Sequence, residues 1–147
     1  MASRRRARQR ALQILFQWDA RRESVDDAIC AYYDSLYSEE TEVPPKRDSF
    51  VDQLVHGVVG KLAEVDDRIS RHTEHWRIER MPCVDRNVLR LAVYEMMDLG
   101  TPQAVVIDEA LELARRYSGE ESVHFVNGVL DAVGRELVTA RAGQTVG

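Results

Sequence analysis

The run from Val84 to Met96 carries apolar residues on too much of a helix circumference to lie on a surface. Val84, Val88 and Leu91 fall on one face, and Leu89, Ala92, Val93 and Met96 on a second. A chain with such a helix, predicted over about 85–99, has to wrap other helices round it, and the next segments supply two. Gly100 stands where a helix ends in a left-handed residue, and Pro102 cannot continue a helix that runs into it. A helix follows over about 105–117, with Ile107, Ala110, Leu111, Ala114 and Tyr117 as one buried stripe and Arg115 and Arg116 in its last turn, where cations suit the dipole. Ser118 and Gly119 stop it. A third helix is expected from a cap at Ser122 through Val126, Val129, Leu130, Val133 and Leu137.

Charge is distributed as unevenly as hydrophobicity. The formal charge of -5 over 147 residues hides seven arginines against one acid in residues 1–22, and thirteen basic against twenty-four acidic residues in the remainder. A cationic end on an acidic body is a localised electrostatic footprint. A helix is predicted over 4–20, because Ala7, Ala11, Ile14, Leu15 and Trp18 share one side while Arg4, Arg5, Arg6, Arg8 and Arg10 occupy the others. Guanidiniums with no acid among them cannot neutralise each other, and their planar forks match phosphate oxygens. A solvated, frayed terminus is the plainer reading, but a basic run that flows into an amphipathic helix is held by the fold. Phe16 lies beside the inner stripe, as a core residue or as an aromatic face for an unstacked base.

Ser24 reads as the cap of a second helix that buries Ala28, Ile29, Tyr32, Tyr33 and Leu36 and ends near Ser38. The polar stretch 38–46, with Pro44 and Pro45, is expected to be the most mobile internal segment. From Asp48 to about His75 the set Val51, Leu54, Val55, Val58, Leu62, Val65 and Ile69 is helical in period, with a break expected near 60–64. A polar connection follows at 77–81. The tail, 139–147, has no periodicity and is expected to be frayed.

On the central helix, Arg86, Arg90 and Glu95 read as ion pairs bracing the bundle, while Asp85, at an exposed helix start, makes an acidic edge with Glu79. Glu121, His124 and Phe125 lie in the first turn of the last helix, where backbone N–H groups favour anions. Gly128 reads as a close backbone approach and Asn127 as a satisfied buried polar group.

Three blocks, VDRNVLRLAVYE (84–95), VVIDEALELAR (105–115) and FVNGVLD (125–131), together with RRRARQRALQILFQW (4–18), resemble the NusB family of bacterial transcription antitermination factors over essentially the whole chain. The resemblance implies an all-α fold, a bundle of about seven helices in two packed sub-bundles: one domain over 1–138, sub-bundles at about 3–75 and 82–138, and a hinge near 76–81. It implies binding of single-stranded boxA RNA of nascent ribosomal transcripts together with the ribosomal protein NusE, within an RNA polymerase antitermination complex. By matching motif, Arg4, Arg5, Arg6 and Arg8 are the RNA-facing arginines, with Phe16, Glu121, His124 and Phe125 as neighbouring RNA candidates. Glu79 and Asp85 match the edge facing NusE. Several relatives carry lysine near position 124 and a basic tail, where this chain has His124 and a nearly neutral one.

Other classes find less support. Cys30 and Cys83 stand far apart and read as free thiols of a cytoplasmic protein. No run is apolar enough for a membrane span, and the N-terminus lacks the pattern of a signal peptide. His72 and His75 with Cys83 want a fourth metal ligand, and no oxyanion turn, nucleophile elbow or phosphate loop suggests an enzyme, so no catalysis, metal or cofactor is expected. Two alternatives remain. One is a protein-only or self-associating adaptor, for which the charge split leaves a homodimer open. The other is the NusB-like appendage of an RNA cytosine methyltransferase.

Overall fold

The structure, a computed structural model, describes residues 3–40, 46–73 and 77–146. Among the described residues there are seven α-helices, one short 3-10 helix and no strand. The chain divides into two compact units, Met1–Gly60 and Lys61–Gly147.

The first unit holds α1 (Arg4–Arg21), α2 (Val25–Glu40) and α3 (Ser49–Gly60), with α1 packed on both of the others. Ala7, Ala11, Ile14 and Leu15 of α1, Ala28 and Ile29 of α2, and Val51, Leu54, Val55 and Val58 of α3 are all but fully buried. Each helix start is capped by a short polar side chain, as helix N-termini with orphan N–H groups require. Ser3 Oγ accepts from Arg6 N at 3.0 Å, Ser24 Oγ from Asp27 N at 3.1 Å, and Asp48 Oδ1 from Phe50 N at 2.9 Å. Arg22, left-handed at φ 54, ends α1 with its N–H on Trp18 O at 2.7 Å. The segment 41–45, where mobility was expected at Pro44 and Pro45, lies outside the described residues.

The second unit is built round α5 (Cys83–Asp98), which packs against α4 (Leu62–Ser70), α6 (Gln103–Tyr117) and α7 (Glu120–Val146). Every residue from Asn87 to Met96 is buried, the enclosure its two apolar faces demand. The polar groups carried inside have partners. Arg90 Nε and Nη2 donate to Asp66 Oδ1 and Oδ2 at 2.9 and 3.0 Å, Arg90 Nη1 donates to Asn87 Oδ1 at 3.1 Å, and Glu95 Oε1 accepts from Thr101 Oγ1 at 3.1 Å. Arg86 Nη1 donates to the carbonyls of Ile78, Glu79 and Met81 at 3.3–3.5 Å and so closes the 3-10 turn Ile78–Arg80. The chain reverses after α5 at Gly100, φ 67, where a side chain would be strained.

Several local expectations are corrected. The helical break falls at Lys61, within the range expected, but the units also divide there and not at 76–81, because α4 packs on α5, α7 and the 3-10 turn. The buried stripe of α6 is Val106, Ala110, Leu113 and Ala114, while Ile107, Leu111 and Tyr117 are half-buried. Helix α7 starts at Glu120, ahead of Ser122, and continues to Val146 through the segment expected to fray; Arg141 Nη2 donates to Met96 O at 2.9 Å and ties that turn to α5.

Asn127 and Gly128 are exposed, and a Cβ added at Gly128 would meet nothing within 4 Å. The close approach is instead at Gly134, where a Cβ would stand 2.6 Å from Gln103 Oε1 and Gln103 Nε2 donates to Gly134 O at 2.9 Å. Gly128→Ala is therefore expected to stabilise the protein by about 0.5–1 kcal/mol, through lower unfolded-state entropy with no clash to offset it. Urea denaturation checks this.

A charged cluster joins α4 to α7. Glu136 Oε1 accepts from Arg68 at 3.0 Å and Arg71 at 2.6 Å, and Oε2 lies 2.5 Å from His72 Nε2. Burial alone would raise the Glu136 pKa, but the His72 hydrogen bond and the charges of Arg71, His72 and Arg68 together bring it below the usual 4.5. A depressed carboxylate contributes stability above its unfolded pKa and loses it as pH falls through the folded value. Glu136→Gln should thus lower the melting temperature at neutral pH and narrow its distance from the parent below about pH 4.5, which thermal scans from pH 7 to 3 resolve.

Candidate nucleic-acid interface

In the first unit, the start of α1 is exposed at Arg4, Arg5 and Arg6, and its first turn contains no acid. Cations at a helix N-terminus oppose the macrodipole, so this arrangement concentrates positive potential at some expense of helix stability. The Arg4 guanidinium carbon lies 3.8 Å from the centroid of the Phe50 ring and that of Arg8 lies 5.8 Å away, which brings two arginines one turn apart to one aromatic ring. Arg8 is 8% exposed, so of the four arginines expected to point outward it alone lies mostly within the fold. Phe16 is 45% exposed, which removes the core reading. With 100° per residue it shares a face with Arg5 to within about 20°, roughly 16 Å further along the axis. A cationic start and a bare aromatic on one helix face are the parts a single strand uses, phosphates on the forks and a base on the ring.

In the second unit, a cleft of about 290 Å³ is lined by Met81, Pro82, Asp85, Glu121, Ser122 and Phe125. It gathers residues from the link after the 3-10 turn, the start of α5 and the start of α7. Asp85 is 4% exposed and so is not the open edge expected of it, because the first turn of α7 covers it. Its Oδ2 accepts from Ser122 Oγ at 2.9 Å, and its Oδ1 is buried without a hydrogen bond. Glu79 is exposed on the 3-10 turn, so the two acids do not make one continuous edge. Glu121 and His124 are exposed, and Phe125 is half-buried as a wall of the cleft. His124 does not line it. Ser122, expected from the sequence to be a helix cap, is the hydroxyl that orients Asp85, and Phe50 is a residue the sequence did not single out.

His75 lies outside the described residues, and His72 is engaged by Glu136. Among the described residues no group of three or more His, Cys, Asp or Glu side chains is placed to hold a metal, and no helix is long and apolar enough to cross a membrane. Cys30 and Cys83 are free thiols.

A cationic helix start with an exposed aromatic on the same face, in a protein all-helical among its described residues, has the surface features that helical nucleic-acid adaptors use. The chain is a member of the NusB family, whose model matches residues 5–135. It is 73% identical over 137 residues to a transcription antitermination protein NusB of Solibacter usitatus, covering 93% of this chain and 92% of that one. It is 46% identical to the NusB of Anaeromyxobacter dehalogenans, covering 98% and 99%. Among solved structures it resembles T. maritima NusB, with a TM-score of 0.79, 38% identity and 92% of each chain covered. It also resembles a chain in a complex of antitermination factors NusB and NusE with dsRNA, with a TM-score of 0.78, 28% identity and coverage of 90% and 96%.

Proposed function

We propose that this chain is a cytoplasmic transcription antitermination factor that binds boxA-type nascent ribosomal RNA together with NusE, within an RNA polymerase complex, and that it catalyses no reaction. The observation that carries the reading is the acid-free arginine start of α1, with Phe16 exposed on the same helix. Support comes from the high identity to antitermination proteins and from the relative whose structure contains NusE and RNA. Arg4, Arg5 and Arg6 contact phosphates, Arg8 supports them from a more buried position, and Phe16 takes a base face. Glu121, His124 and Phe125 form a second RNA contact on the other unit, and Glu79 with the Asp85 cleft receives the protein partner.

Acidic residues outnumber cations outside α1, and position 124 carries no lysine, so affinity depends on the partner. Titrating fluorescently labelled boxA RNA with this protein, alone and with saturating NusE, should give weak saturable binding alone and markedly tighter binding in the mixture. No saturable binding in either arm overturns the reading. A NusE-bound complex, or a homodimer, that ignores RNA favours the protein-only adaptor.

A further inference from the structure

We infer that Phe50 is a positioning residue for RNA binding: its ring is the platform that holds Arg4, with Arg8 beside it, in the poise in which Arg4 meets phosphate. The inference rests on the function proposed above and adds to it a residue that never touches RNA.

Arginines at the start of an exposed helix ordinarily sample many rotamers, and binding must freeze them. Here one is already in place. Arg4 Cζ stands 3.8 Å from the Phe50 centroid, van der Waals distance for a guanidinium over a ring, and Arg8, four residues on and so on the same face, approaches to 5.8 Å. A guanidinium held by its flat face leaves its N–H edge free to donate, which is the edge phosphate recognises.

The platform is itself fixed. Phe50 is 9% exposed, its N–H donates to Asp48 Oδ1 at 2.9 Å, and Asp48 N donates to Tyr33 Oη at 3.3 Å. A chain of contacts therefore runs from α2 through the start of α3 to the arginines of α1. The arrangement also offsets the helix dipole at Arg4, since the negative ring face supplies an attraction that the acid-free first turn does not.

Phe50→Leu keeps an apolar side chain in the space but removes the π face, and Phe50→Tyr keeps the face. All arginines remain in both, so the number of phosphate contacts is unchanged. BoxA RNA affinity of the Leu variant should fall about three- to tenfold at every salt concentration, with the slope of log affinity against log salt equal to the parent's. The Tyr variant should bind like the parent. Arg4→Ala differs in kind, because it flattens the slope by roughly 0.7. Leu binding equal to the parent's, a slope change in the Leu variant, or Tyr failing to restore affinity overturns the inference.

A readout without RNA guards against a variant that merely folds poorly. In proton NMR of the parent and the Tyr variant, the side-chain protons of Arg4 should be shifted upfield by the ring current, and in the Leu variant they should not. Unshifted Arg4 protons in the parent overturn the platform whatever the RNA result. Shifted protons in a parent that binds no RNA overturn the proposed function, and with it the role assigned to the platform in RNA binding.

Discussion

Replacing Arg4, Arg5 and Arg6 together by alanine should lower affinity for boxA RNA about a hundredfold at 0.1 M salt. The figure follows from counterion release: each phosphate neutralised on a single strand contributes roughly 0.7 to the exponent, and three contacts referred to 1 M salt give about two decades. The same variant should melt close to the parent. Those side chains are exposed and stand at the positive end of the α1 dipole, so relieved repulsion and better helix propensity offset the lost contact of Arg4 with Phe50. A large loss of binding with no loss of stability separates a functional surface from a structural one. Adding Arg8 to the set would blur the test, because at 8% exposure it also packs.

Asp66→Ala should be the most damaging single change in the second unit, costing about 3–5 kcal/mol. Arg90 is 3% exposed and takes both Asp66 oxygens, so the change removes a two-pronged carboxylate from a buried guanidinium. The corresponding fall in melting temperature is on the order of 10 °C. Replacing both partners with apolar residues, Asp66→Leu with Arg90→Met, should cost much less than the single change, since no charge is then stranded. Thermal denaturation of the single and double variants tests the sign of that difference. Equal losses would mean that the pair itself, and not the stranded charge, sets the cost.

The central helix could be read from its residues because two apolar faces leave a helix one option, enclosure, and the structure buries Asn87 to Met96 without interruption. The α1 stripe and the Ser24 cap were equally legible, since both are local patterns. What the pattern could not give was set by tertiary packing. Asp85 looked like an exposed helix start, yet the first turn of α7 closes over it and Ser122 binds it. Ser122 looked like a cap for the same reason that it became a ligand of Asp85: a small hydroxyl near a helix start serves either role, and only the neighbouring element decides. Phe50 gave no signal, because a core aromatic whose face is open to a cation has the same sequence as one that is packed on both sides. The extension of α7 to Val146 was hidden by a tail without periodicity, tied to α5 by one arginine.

We propose that a few guanidiniums held at the start of α1 carry the electrostatics of RNA binding on an otherwise acidic protein. Measuring boxA RNA affinity from 50 to 400 mM salt tests this. Three phosphate-contacting arginines predict a straight line of slope roughly -2 in log affinity against log salt, while a slope near zero, or a slope unchanged in the Arg4/Arg5/Arg6 alanine variant, would contradict it.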